Sequence, residues 1–207
     1  MQELLDRIQE LKTNGTKNLI DIRLTEFKEI KNQPITSIFK ELCFCIMTAN
    51  CSAKKCIEIQ RIIDEGFLTL GEEELARTLK RNKYRFPNVR SKYIIEAREK
   101  KDQLAKKLKS TNKGSLREWI VKNIRGIGFK EASHFLRNIG YDDYAIIDFH
   151  IIDLLVKHSL IQRPKYLTKN RYLEIEMVLK MIGQNSSLNL AELDLYLWYL
   201  ETGKILK

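Results

Sequence analysis

A chain of 207 residues that is 43% hydrophobic is long enough for one large domain or two small lobes with a sizeable core. Its 37 Lys and Arg against 27 Asp and Glu leave a net charge of +10, which favours an acidic polymeric partner, nucleic acid ahead of a membrane surface. No apolar run approaches the roughly 18 residues of a spanning helix, the acidic amphipathic start MQELLDRIQELK does not read as a signal peptide, and three prolines with nine glycines are too few for a loop-rich all-β fold.

In chain order, apolar periodicity predicts helices over residues 2–12, 18–31, 35–48, 52–65, 72–81, 89–109, 115–124, 129–139, 149–158, 171–183 and 189–200, and no strand. Pro34 opens the third of these, Ser115 and Glu118 have the spacing of a capping box, and Gly140 and Gly183 stand where helices stop. Cys43, Cys45, Cys51 and Cys56 fall close together but lack the C-x2-C or C-x4-C knuckle on a turn that zinc and iron-sulfur sites use. Phe39, Leu42, Cys43, Ile46 and Met47 share one helical stripe, so Cys43 reads as core. No disulfide, metal or cofactor is expected, and the compartment is the reducing cytoplasm. The basic run from Arg98 to Lys113 reads as a solvated helix face because Glu99 and Asp102 interrupt it. Without repeats or Gly/Ser linkers, two lobes would pack directly rather than hang on a tether.

The stretch from Leu116 to Leu155 carries the most information. Leu116, Trp119, Ile120 and Ile124 form one stripe, Gly126-Ile127-Gly128 interrupts it, and Ala132, Phe135, Leu136 and Ile139 resume it: helix, tight turn, helix. Two glycines around one apolar residue let the turn close and let backbone approach a ligand, and unpaired N–H groups at the second helix's start suit a phosphate. Lys130 lies in that helix's first turn, and Asp148 follows 18 residues later, ahead of an apolar helix that it can cap.

The segments Ile124-Arg125-Gly126-Ile127-Gly128-Phe129-Lys130 and Ile147-Asp148-Phe149-His150 together resemble the helix-hairpin-helix base-excision DNA glycosylases. Within that superfamily, GIGFKEASHFLRNIGYDDYAIID and the closing LDLYLWYLETGKILK look like the compact archaeal 8-oxoguanine DNA glycosylase/lyases. Consistent with that branch, no cysteine follows Cys56, so the four-cysteine cluster of the endonuclease III branch is absent. The single glycine and missing proline in Gly140 to Ile147 depart from the Gly/Pro-rich pattern of many superfamily members.

The expected architecture is all-α, with residues 33–134 as a helical barrel lobe ending in the hairpin and residues 1–32 with 135–207 as a second lobe; the resemblance places DNA in the cleft between them. It also implies a monomer acting on double-stranded DNA that contains 8-oxoguanine. Lys130 would be the nucleophile, attacking the deoxyribose C1′ as a neutral amine, a form that the positive end of a helix favours. Asp148 would stabilise the developing sugar cation. Trp198, with core packing as its competing role, would stack the flipped base, and His134, on the Lys130 face of its helix, would sit in the active site as a substrate-binding residue. The family's chain end implies that Lys207 presents a terminal carboxylate to the N7–H of 8-oxoguanine. Gly126, Gly128 and His150 would meet phosphate, Asn50 would fill the gap left by the extruded base, and Arg85 with Phe86 would read the opposite strand. A noncatalytic helix-hairpin-helix DNA-binding protein is the alternative; it needs the hairpin but no lysine–aspartate pair.

Overall fold

The computed structural model describes residues 1–109 and 115–207. Among these, regular structure is helical throughout: α1 (Gln2–Lys12), α2 (Thr16–Lys31), α3 (Ile35–Thr48), α4 (Ala53–Ile63), α5 (Gly66–Thr69), α6 (Glu72–Arg81), α7 (Pro87–Glu99), α8 (Lys101–Lys109), α9 (Leu116–Asn123), α10 (Phe129–Asn138), α11 (Phe149–Lys157), α12 (Lys169–Ser186) and α13 (Leu190–Thr202). The chain divides into two compact units, one of Ile30–Phe135 and one of Met1–Glu29 with Leu136–Lys207.

In the first unit, α3 is the central helix. Its residues from Ile38 to Thr48 are buried except for half-buried Lys40, as expected of a helix that is apolar on nearly every face. Cys43 and Cys45 are therefore both core, although they lie on different faces, and no disulfide joins the four cysteines. Around α3 pack α4, α7 and α8. α6 carries three glutamates in its first turn and Lys80 and Arg81 in its last, complementing its dipole, and buries Leu75 and Leu79.

The basic run after residue 97 is not one solvated face. Arg98 turns inward to donate from Nε to the Phe67 carbonyl and from Nη2 to the Leu70 carbonyl, both at 2.9 Å, closing the end of α5. Burial pushes the Arg98 guanidinium down from its ordinary value. Lys100 ends α7 and donates to the Asn123 carbonyl at 2.6 Å, so the predicted helix over 89–109 is two helices. Lys106, Lys107 and Lys109 are exposed, and positions 110–113 of the run lie outside the described residues. Ser115 stands at the α9 N-cap but makes no side-chain cap bond, because its backbone is right-handed helical (φ −96°, ψ −3°) rather than extended.

In the second unit, Ile20, Leu24 and Phe27 of α2 pack against Ala191, Leu195 and Tyr196 of α13. Arg137 and Asp194 form a buried pair at 2.7 Å, with the guanidinium 4.8 Å from the Phe27 ring centroid. α12 runs past Gly183 to Ser186 and ends on Ser187 in the left-handed region (φ 54°). Gly183 is therefore not a stop signal. A Cβ there would lie 2.7 Å from the Leu188 carbonyl oxygen, so glycine is needed for the return of the chain onto the helix.

Between α10 and α11 the buried segment Tyr144–Ile147 is held by α12. The Tyr172 hydroxyl donates to the Ala145 carbonyl at 2.7 Å and accepts from the Ile147 N–H at 3.2 Å, while Glu176 accepts from the Ala145 N–H at 3.0 Å. Every one of these bonds satisfies a backbone group that no regular ladder could.

Candidate active site and DNA interface

The hairpin belongs to the Ile30–Phe135 unit. α9 gives way at Ile124, Gly126 adopts φ +82°, and a side chain on Gly126 would overlap the Tyr93 ring, so both conformation and space demand glycine. Ile124 and Ile127 are buried and anchor the turn. The N–H of Gly128, expected to be open for a phosphate, instead donates to Glu131 Oε2 at 3.2 Å. Lys130 is half-buried in the first turn of α10, its Nζ 3.2 Å from the other oxygen, Glu131 Oε1. One carboxylate thus joins the hairpin amide to the candidate nucleophile.

The same lysine acts electrostatically on the Cys56 thiol of α4. Burial pushes the Cys56 thiol far up, the adjoining Cys51 adds to this, and Lys130 pulls the other way. His134, one turn beyond Lys130, is buried with its ring edge-on to Phe44 at 5.5 Å, so it packs on the core helix α3.

Asn50 sits exposed in the turn after α3 with φ 61°, a left-handed conformation that asparagine tolerates well. Arg85 is exposed, with its guanidinium 4.9 Å from the ring centroid of half-buried Phe86, the residue at the N-cap of α7. Arg90 and Tyr93, which sequence reasoning did not single out, lie among these residues. Arg90 donates from Nη2 to the Ala49 carbonyl at 3.0 Å, and its guanidinium is 5.9 Å from Phe86 and 5.5 Å from Tyr93. Arg125 stacks on Tyr93 at 4.9 Å and pairs with Glu96 at 3.1 Å.

The other unit supplies Asp148, His150, Trp198 and Lys207. Asp148 is the N-cap of α11, its Oδ1 accepting from the Ile151 N–H at 3.0 Å. Phe149, in the first turn of α11, is 64% exposed, its ring centroid 3.9 Å from that of His150. His150 in turn meets Trp198 edge-to-face at 4.9 Å. Trp198 is half-buried, and its Nε1 is buried without a hydrogen-bond partner. Beyond α13, Gly203 in the left-handed region (φ 65°) turns the chain, and Ile205 packs against the core cluster of α2 and α13. Lys207 is partly buried. Asp148, His150 and Trp198 are therefore linked within one unit, and Asn50, Phe86, Gly126 and Lys130 are carried by the other.

Residues 20–188 match the family model Ogg-HhH, described as 8-oxoguanine DNA glycosylase. The chain belongs to this family. A curated 8-oxoguanine DNA glycosylase/AP lyase of Methanocaldococcus jannaschii is 51% identical over 205 residues, covering 99% of each chain. One from Korarchaeum cryptofilum is 44% identical over 209 residues, covering 100% of this chain and 99% of its own. Among solved 8-oxoguanine DNA glycosylases, the M. jannaschii glycosylase/lyase in complex with a 15mer DNA containing 8-oxoguanine superposes with a TM-score of 0.96 at 50% identity, covering 99% of this chain and 100% of that one. The 8-oxoguanine DNA glycosylase of Thermotoga maritima superposes at 0.94 with 39% identity, covering 100% and 99%.

Proposed function

We propose that the protein is a bifunctional 8-oxoguanine DNA glycosylase and AP lyase. The observation that carries this is Lys130, in the first turn of the helix that follows the Gly126–Gly128 hairpin, in a chain collinear with enzymes of that name. Lys130 Nζ, released from Glu131 and neutral, attacks C1′ of the damaged nucleotide. The C1′–N9 bond breaks, the base leaves, and the ring-opened sugar is retained as an imine. Loss of a C2′ proton from the imine then expels the 3′ phosphate by β-elimination, and water hydrolyses the imine to return the amine. The Asp148 carboxylate, preorganised as a cap, stabilises positive charge on the sugar and helps to activate the amine.

The remaining residues take supporting roles. Trp198 stacks on the flipped base, Lys207 and the tail that Ile205 anchors complete the base pocket, and His134 buttresses the Lys130 helix from the core side. Gly126, Gly128 and His150 meet the phosphates, Asn50 fills the vacated space, and Arg85 with Phe86 contacts the opposite strand. The acting species is a monomer in the cytoplasm, a reducing compartment that suits four cysteines without a disulfide. Borohydride trapping on an 8-oxoguanine duplex tests the reading. The wild-type chain should give a covalent protein–DNA band and Lys130→Gln none, with duplex affinity and melting retained. A trapped band from Lys130→Gln would refute the assignment.

A further inference from the structure

Arg90 is an expensive residue. It is 8% exposed, and its Nε is buried without a partner, so its guanidinium is desolvated without full hydrogen bonding. If holding the end of α3 were all it did, an uncharged donor would suffice. Its surroundings suggest another reason for the cost. Nη2 holds the Ala49 carbonyl, the first half of the peptide that leads into Asn50. The Tyr84 hydroxyl, which Arg90 also touches, holds the Met47 carbonyl at 2.6 Å. The guanidinium plane lies beside the rings of Phe86 and Tyr93, and a Cβ on Gly126 would lie 3.3 Å from its Nη1. One buried cation therefore holds the turn bearing Asn50, lies beside the aromatic at the start of α7 and borders the space that a side chain on the hairpin glycine would take.

We infer that Arg90 is a positioning residue that fixes Asn50 in its left-handed turn, in register with Phe86 and the hairpin, so that base extrusion meets a preset plug. This rests on the proposed glycosylase activity and deepens it. Arg90 acts through Asn50 and touches no reacting atom. A planar fork that lies over two rings while donating to a carbonyl is a geometry that lysine cannot reproduce.

A double-mutant cycle separates positioning from simple helix capping. Single-turnover excision from an 8-oxoguanine duplex is measured for wild type, Asn50→Ala, Arg90→Lys and the double variant, with thermal melting of each. Each single change should slow excision by about tenfold or more, the double variant should be no slower than the slower single, and Arg90→Lys should melt within a few degrees of wild type. Losses that multiply, an Asn50→Ala variant as fast as wild type, or an Arg90→Lys rate that falls only with its folded fraction would each overturn the inference. If Arg90→Lys does not fold, Tyr84→Phe, which removes the neighbouring clamp on α3, takes its place in the cycle under the same criteria. A wild-type chain that releases no 8-oxoguanine would instead overturn the functional reading, and the inference with it.

Discussion

The role proposed for Asp148 couples a structural bond to a catalytic charge, and the two can be separated by one atom. Asparagine accepts the Ile151 N–H nearly as well as aspartate, so Asp148→Asn should leave melting within about 0.5 kcal/mol of wild type while lowering single-turnover excision by roughly 10²-fold or more. A large drop in melting with activity kept would reduce Asp148 to a cap. The thiols give a second check at this scale. Cys43, Cys45 and Cys56 are fully buried and Cys51 is partly exposed, so a thiol reagent should titrate one cysteine in the native chain and four after denaturation. Lys130 and Asp148, the proposed catalytic pair, stand out in the sequence because the pattern that resembles the family lies in two short contiguous runs. Arg90 does not, since it meets Ala49 across 41 residues and only the folded chain brings them together. Glu131 was overlooked for a different reason: a glutamate three residues after a glycine looks like an ordinary cap, and its second partner is the proposed nucleophile.

Helices were the most legible elements, because apolar periodicity survives whatever surrounds it. α3 and α6 have the predicted bounds, whereas α5 is a four-residue turn too short to show a period, and the break at Lys100 carries neither proline nor glycine. Gly183 misled for a physical reason. Its missing side chain serves a close approach by Leu188, a long-range need that looks locally like a helix stop. Gly183→Ala should therefore destabilise the chain by about 1 to 3 kcal/mol, although alanine has the better helix propensity, and chemical denaturation would read the sign directly. The segment before Asp148 follows the same logic. It dispenses with the Gly/Pro-rich pattern because Tyr172 and Glu176 of α12 hold its backbone instead. Tyr172→Phe leaves the Ala145 carbonyl and the Ile147 N–H without that hydroxyl, so it should lower both stability and excision. Unchanged excision would show that Asp148 needs no such strut.

For the whole molecule, the net charge of +10 sets how the chain meets any duplex, and binding to undamaged DNA should weaken steeply as salt rises. Charge state also governs stability, on the alkaline side. Burial raises the thiols of Cys43 and Cys56 and the phenol of Tyr84 in one unit, and the phenols of Tyr141 and Tyr196 in the other. A group whose folded value is raised keeps its proton in the folded state after the unfolded chain has lost it. The associated stability is therefore fully present below the unfolded value and is lost as pH climbs above it. For the thiols that loss begins near 9.0, and for the phenols near 10.0. Stability read by denaturant should stay level between about pH 7 and 8.5, then fall by about 1.4 kcal/mol per pH unit for each of the Cys43 and Cys56 thiols, with the phenols steepening the decline further up. Cys56→Ala should lower overall stability at neutral pH yet flatten the first part of this decline, because the linked proton has gone with the sulfur. A midpoint indifferent to pH between 8 and 11 would mean that these groups ionise as easily in the folded chain as in the unfolded one.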